Sequence, residues 1–147
     1  MNFVDVKIKV LEGGKMPVYK HKTDACCDCY ARLDSDFILK RGKRCTIPLG
    51  FKLDLPDGFK AVIDPRSGLA SKDGIVACIG EIDEGYKGEL GCTLFNLSEE
   101  DFHIYNEDRI CQLEFVPYYQ AVFEAVDEVS KSDRDESGFG SSGVKDI

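Results

Sequence analysis

The stretch FILKRGKRCTIPLGFKLDLPDGFKAVIDPRSG, residues 37–68, reads as strand, turn, strand, turn, strand. Arg41-Gly42, Pro48-Leu49-Gly50 and Pro56-Asp57-Gly58 are its punctuation, since glycine supplies left-handed backbone and proline pre-sets φ for a turn. The same texture continues in both directions. VDVKIKVL (4–11) alternates apolar and polar residues, the period of a half-buried strand. GIVACIGEID (74–83), KGELGCTLFNL (87–97), DFHIY (101–105) and RICQLEFVPYY (109–119) are further candidate strands. The only helical signal is SGLASKD (67–73), too short to make a layer of its own. Chains with many short strands and frequent turns build sandwiches, jelly rolls or barrels. The fold class is therefore all-β, and 147 residues support one domain with a single core.

Lysine and arginine number 19 against 27 aspartates and glutamates, a formal net charge of -8. That balance argues against stable binding to nucleic acid or anionic membranes. It leaves room for a small phosphorylated ligand, because a few arginines and a bound cation reverse the sign locally. The start, MNFVDVKIKVLEGG, carries Asp5, Lys7 and Lys9 and does not read as a signal peptide. No apolar run is long enough to span a membrane. The 7 cysteines, an odd number without a leader, fit a reducing cytoplasm better than a disulfide framework. Cys26, Cys27 and Cys29, with His21 nearby, lack the spacing of a zinc knuckle and read as packed core thiols.

Four stretches are richer than a β-domain needs. In DPRSGLA (64–70) a strand runs into a turn and a short helix, so Arg66, Ser67 and the backbone at Gly68 could cradle a phosphate. Arg-Ser-Gly is equally an ordinary turn. In GEIDEGYKGEL (80–90) two strands flank Glu84-Gly85, which predicts a tight hairpin with Asp83 and Tyr86 close together. An acid beside a flat ring suits a polar reaction, or simply a surface acid beside a packed tyrosine. In EDRICQLEF (107–115) alternation puts Ile110, Gln112 and Glu114 on one side and Cys111, Leu113 and Phe115 on the other. A glutamine there needs hydrogen-bond partners, and Arg109 reads as a strand-end salt bridge. In the tail, Arg134 precedes Gly138, Phe139, Gly140, Ser141 and Ser142. Its glycines let backbone N–H groups converge on an anion, and Phe139 sits on a segment too polar for a core. No Walker loop, dinucleotide fingerprint or nucleophile elbow is present.

Taken in order, DACCDCYA (24–31), PRSGLA (65–70), GEIDEGYKGE (80–89), RICQLEF (109–115) and RDESGFGSSG (134–143) resemble the motifs of the trimeric dUTPase family. IPLGFKLDLPDGF (47–59) resembles that family's linking strands. The resemblance implies a jelly-roll-like distorted β-barrel over residues 1–129, assembled as a homotrimer, and a flexible C-terminal arm over 130–147 that closes over a site. It implies hydrolysis of dUTP to dUMP and pyrophosphate with Mg²⁺, keeping uracil out of DNA and supplying dUMP for dTMP synthesis. Asp83 would activate the water that attacks the α-phosphorus, helped by Gln112. Tyr86 would lie against the deoxyribose and reject UTP. Gly80 and Ile82 would contribute to the base pocket, and Arg66, Ser67 and Gly68 to the phosphate site. Phe139 would stack on uracil while Arg134, Gly138, Gly140, Ser141 and Ser142 close over the phosphates, and Asp28 would meet the metal through water.

This chain departs from the family pattern in three places. Cys26, Cys27 and Cys29 replace a glycine, an aromatic and an aliphatic residue. Asp135 and Ser137 replace tail glycines. The segment 74–83 is short and lacks an asparagine often found there. Two alternatives share the fold: a dCTP deaminase, with Glu89 as its only candidate proton shuttle, and a phage-type dUTPase that also binds a regulatory protein.

Overall fold

The computed structural model describes residues 3–132, and the strands below are those of the described residues. They are β1 (Lys7–Val10), β2 (Cys27–Tyr30), β3 (Phe37–Leu39), β4 (Arg44–Pro48), β5 (Phe51–Asp54) and β6 (Phe59–Asp64). After a single helical turn at Leu69–Asp73 come β7 (Ile75–Ala77), β8 (Gly80–Ile82), β9 (Gly91–Asn96), β10 (Phe102–Ile104) and β11 (Arg109–Pro117). The fold is all-β, as expected. A four-stranded sheet in the order β2-β11-β6-β8 packs with a three-stranded sheet β4-β9-β7 and with the ribbons β1-β5 and β3-β10. Every pairing is antiparallel. The result is a jelly-roll-like barrel closed around one core.

All three predicted turns between residues 37 and 68 use their glycines in left-handed backbone: Gly42 at φ 68°, Gly50 at φ 77° and Gly58 at φ 79°. Each separates two strands, so this stretch holds four. Gly50 has a second constraint. Leu11 donates its N–H to the Gly50 carbonyl at 2.8 Å, and Gly14 passes so close that a Cβ on either glycine would overlap the other's backbone.

The core is mainly aliphatic around one aromatic ring, with Leu39, Leu49, Phe51, Ile63, Ile75, Leu90, Leu94, Ile104 and Leu113 essentially sealed from water. Cys27, Cys29, Cys92 and Cys111 belong to it too, and all 7 cysteines are free. Strand alternation explains why the thiols of the CCDC cluster do not converge on one point: Cys27 and Cys29 point inward, while Cys26 and Asp28 face the other side of β2.

Two expectations fail. GIVACIGEID is not one strand, because it changes sheets at Cys78-Ile79, with β7 pairing β9 and β8 pairing β6. For the same reason the Glu84-Gly85 turn closes no hairpin: β8 and β9 belong to different sheets. The turn itself forms, with Tyr86 donating its N–H to the Asp83 carbonyl at 3.0 Å. A third departure is local. The β11–β2 register shifts between Arg109 and Cys111, so Ile110 is buried beside Cys111 instead of sharing the face of Gln112 and Glu114.

Asn96 is the only buried polar residue among those described, at 0% exposure. Its Nδ2 donates to the Leu39 carbonyl at 2.9 Å and the Glu100 carbonyl at 2.8 Å, and its Oδ1 accepts from Ser98 N–H and O–H. One amide thus staples β9, β3 and the loop before β10. Asn96→Leu removes these bonds, strands the buried Leu39 carbonyl and leaves the half-buried groups at Ser98 and Glu100 without their partner. We expect a loss of about 2–4 kcal/mol, read as a lower urea midpoint at matched protein concentration, because each stranded buried group costs ~1–3 kcal/mol.

Candidate active site

Strand register decides which side chains share a face. Gln112 of β11 stands opposite Asp28 of β2 on one side and Asp64 of β6 on the other. The chain then turns at Pro65 and brings Arg66 back over the sheet. Its Nε lies 3.1 Å from Asp28 Oδ1, and its Nη1 donates to the Arg109 carbonyl at 2.7 Å. Arg109 Nη1 adds a second, longer contact of 3.4 Å to Asp28 Oδ2. Asp28 therefore sits between two guanidinium groups, with its side chain 15% exposed. The expected strand-end salt bridge of Arg109 is this one.

Around that pair lies a cavity of about 400 Å³ lined by Lys20, His21, Asp24, Ala25, Cys26, Asp28, Arg66, Ser67, Gly68 and Gln112. Ser67 and Gly68 begin the helical turn and are exposed to it. Gln112 Nε2 donates to the Pro65 carbonyl at 3.0 Å, which supplies the partner a half-buried glutamine requires and fixes its amide. Arg66 commits two of its five N–H donors to Asp28 and the Arg109 carbonyl, leaving a planar edge for an oxyanion. Asp28, Arg66, Ser67, Gly68 and Gln112 are thus brought together.

Gly80, Ile82, Asp83 and Tyr86 are not part of this group. Gly80 stands opposite Ile63 and Ile82 opposite Ala61, so Asp83 leaves β8 toward the Lys60 end of β6. It lines a separate cavity of about 580 Å³ with Lys60, Glu81, Glu84, Gly85, Tyr118, Tyr119 and Gln120. Three strand spacings across the sheet and about four residues along it separate Asp83 from Asp28, which amounts to roughly 20 Å. Asp83 is exposed, as is Tyr86, whose hydroxyl donates to the Glu89 carbonyl at 3.0 Å. Arg134, Gly138, Phe139, Gly140, Ser141 and Ser142 lie outside the described residues.

Several neighbours escaped the sequence reading. Gly88 packs beneath Tyr86, and a Cβ there would overlap the phenol; the only trace was its place two residues after the tyrosine. Asp24 is held by His21 through both backbone and ring, and these hydrogen bonds, the backbone N–H foremost, keep its carboxyl below the usual range. Glu89, named above as a candidate proton shuttle, instead forms a bidentate pair with Arg32, 2.7 Å to Nε and 2.8 Å to Nη2, and also accepts the Gly50 N–H at 3.0 Å. Arg32 foremost holds the Glu89 carboxyl below its ordinary value.

Carboxylate oxygens that could meet a divalent cation are few. Asp28 already receives two guanidinium groups, yet a carboxylate accepts about four hydrogen bonds, so a metal-bound water fits it better than direct ligation. A second group, Cys26 with Asp64 and Glu114, has its donor atoms within 4.8 Å of one another. Burial, then the Asp64 and Glu114 charges, push the Cys26 thiol up, away from the thiolate that a metal needs.

A family model described as dUTPase matches residues 12–143. The deoxyuridine 5'-triphosphate nucleotidohydrolase of Gamma-proteobacterium EBAC31A08 is 47% identical over 137 residues, covering 90% of this chain and 99% of its own. That of Syntrophotalea carbinolica is 40% identical over 146 residues, covering 97% and 99%. Among solved structures, the Staphylococcus bacteriophage 80alpha dUTPase with dUPNHPP superposes with a TM-score of 0.89 at 30% identity, covering 95% of this chain and 99% of that one. A mutant dUTPase from phage phi11 of S. aureus, described for its coordination of a structural Mg(II) ion, shares the fold at a TM-score of 0.80 and 24% identity, over 86% of this chain and 99% of its own. With one motif set running through the matched region and relatives aligned along nearly their whole length, the chain belongs to the dUTPase family.

Proposed function

We propose that this protein is a dUTP diphosphatase, splitting dUTP into dUMP and pyrophosphate. The observation that carries this reading is the cavity where Arg66, Ser67, Gly68 and Gln112 converge around Asp28 in a chain of this family. An arginine edge, a hydroxyl and the start of a helical turn are the groups a triphosphate needs. Gln112, fixed by Pro65, is held facing the same space and would position the α-phosphate or the attacking water.

The general base is Asp83. It takes the proton of a water that attacks the α-phosphorus; the α–β bridging P–O bond breaks and pyrophosphate leaves. A base must reach its water within about 3 Å, and that water must lie ~3–3.5 Å from phosphorus. Roughly 20 Å inside one chain is incompatible with that reach. The separation supports a site shared between subunits, the Asp83 turn of one serving the Arg66 cavity of another, and the homotrimer typical of this family would provide it. Gly80 and Ile82 would present backbone groups to uracil, and Tyr86 would form the wall that leaves no space for a ribose 2′-hydroxyl. The segment from residue 130 onward, with Arg134, Gly138, Phe139, Gly140, Ser141 and Ser142, would close over base and phosphates.

Mg²⁺ on the triphosphate would offset its charge, and Asp28 would hold it through water. Deamination is not favoured. Glu89, its only candidate shuttle, is committed to Arg32 and the Gly50 N–H and is kept ionised, which makes it a poor proton carrier. No helix among the described residues is long and apolar enough to cross a membrane; we place the enzyme in the cytoplasm on its free cysteines.

The deciding experiment offers purified protein each dNTP and UTP, with and without Mg²⁺, and assays pyrophosphate and ammonia separately. Pyrophosphate from dUTP alone is expected; ammonia from dCTP would overturn the reading. Asp83→Asn should bind dUTP almost normally and lower kcat by about two to four orders of magnitude in single-turnover assays, the scale of a lost general base. Tyr86→Ala should raise kcat/KM for UTP relative to dUTP, and an unchanged ratio would exonerate Tyr86 as the gate. A chain ending at Val129 should keep its melting temperature and trimer mass. It should lose at least about a hundredfold in kcat/KM, since base stacking alone contributes ~1–3 kcal/mol and closure also aligns the substrate.

A further inference from the structure

The Asp83–Tyr86 turn is held by a carboxylate that belongs to none of the roles above. Glu84 Oε2 accepts the Gly58 N–H at 2.8 Å and the Tyr118 O–H at 2.8 Å. Tyr118 returns its own N–H to the Gly58 carbonyl at 3.0 Å, so the three residues close a ring of hydrogen bonds. On the other flank, Lys87 Nζ bonds the Glu84 carbonyl at 3.0 Å and Asp54 Oδ1 at 2.6 Å. The turn is thereby fastened to the end of β5, to the Pro56-Asp57-Gly58 turn, and to the first residue after β11.

The carboxylate is not what makes the turn. Its closing bond is Tyr86 N–H to the Asp83 carbonyl, which any residue at position 84 would permit. What Glu84 adds is direction, because it anchors a loop whose neighbours on either side are an exposed acid and an exposed ring. The Gly58 N–H first and the Tyr118 hydroxyl second hold the Glu84 carboxyl below its usual range, so it stays ionised and a strong acceptor. Tyr118 is also where the chain departs from the sheet toward its C-terminal segment.

We propose that Glu84 is a positioning residue that aims Asp83 and Tyr86 and ties them to the root of the C-terminal segment through Gly58 and Tyr118. The inference rests on the roles of Asp83 and Tyr86 given above. A misplacement of about 1 Å in a reacting group lowers rate by up to ~100-fold, so loosening this ring reaches chemistry without touching substrate. Discrimination against UTP loosens with it, because Tyr86 rides on the same turn.

The test compares full-length Glu84→Ala, Glu84→Gln, Tyr118→Phe and the double variant Glu84→Ala/Tyr118→Phe, with Asp83→Asn alongside. For each, kcat and KM for dUTP, the dUTP-to-UTP ratio of kcat/KM, and the urea midpoint are measured. Glu84→Ala is expected to lower kcat about ten- to a hundredfold with KM little changed, and to shrink the dUTP-to-UTP ratio about tenfold. Glu84→Gln, which keeps an acceptor oxygen, should recover most of both. Tyr118→Phe should lose part, and the double variant should be no worse than Glu84→Ala, the signature of two residues in one network. A full rate and ratio in Glu84→Ala beside an inactive Asp83→Asn overturns this inference alone. Rate lost only in step with the urea midpoint, at an unchanged ratio, does the same. A fully active Asp83→Asn overturns the reading of the site and this inference with it.

Discussion

The double pairing of β11 is the constraint on which the rest of the molecule depends. Gln112 faces Asp28 across one edge and Asp64 across the other, and this register sorts every neighbouring residue to a side. Cys27, Cys29, Cys111, Leu113, Ala61 and Ile63 fall inward and are sealed in the core. Asp28, Gln112 and Cys26 fall outward around the cavity, with Asp64 on the same face of the sheet. A slip of one residue would exchange the two sets, burying charges and exposing the core. The bulge at Arg109–Cys111 is part of the same arrangement. It drops Ile110 into the core while Arg109 stays exposed, free to reach back to Asp28.

The charge distribution follows from this. A chain with net charge -8 repels a polyanion at long range, and its cavity must answer locally. Asp28 adds a negative charge of its own, yet it draws Arg66 and Arg109 onto one point and still leaves a surplus positive charge there. Paired and partly shielded guanidinium groups are oriented before any ligand arrives, so little ordering remains to be done on binding. Lys20 at the rim offsets Asp24, which lines the same cavity.

Much of this was readable from residues alone, and the limits are instructive. Left-handed glycines at 42, 50 and 58 were legible because turn chemistry is local. Most strands were legible too, although β2 was not foreseen and GIVACIGEID is two strands. Of the three thiols expected in the core, Cys27 and Cys29 are there while Cys26 faces the other side. Pairing was not legible, because it is decided between segments far apart. Glu84-Gly85 promised a hairpin, but β6 captured β8 while β4 and β7 captured β9. Nor could spacing reveal that Asp83 and Arg66 occupy different cavities, since the separation arises from where β8 lies across the sheet. Gly88 under Tyr86 and Glu84 on Tyr118 are contacts of side chains, invisible until the loops are in place. The motif order carried the family; three-dimensional pairing carried the arrangement.

Among the described strands, none is hydrogen-bonded to the strand that follows it in the chain. For a polypeptide emerging from a ribosome this sets a strict timetable. β2 carries Asp28, but β11, its partner, is translated some 80 residues later, roughly 4–16 s at ~5–20 residues per second. Until then β2 has only the single bridge from Asp28 to Val18 and β6 only its pairing with β8, and each keeps one edge open. The central sheet is complete only once Arg109–Pro117 has been made, and a nascent chain stalled before Arg109 holds both Asp28 and Arg66 with no strand to join β2 to β6.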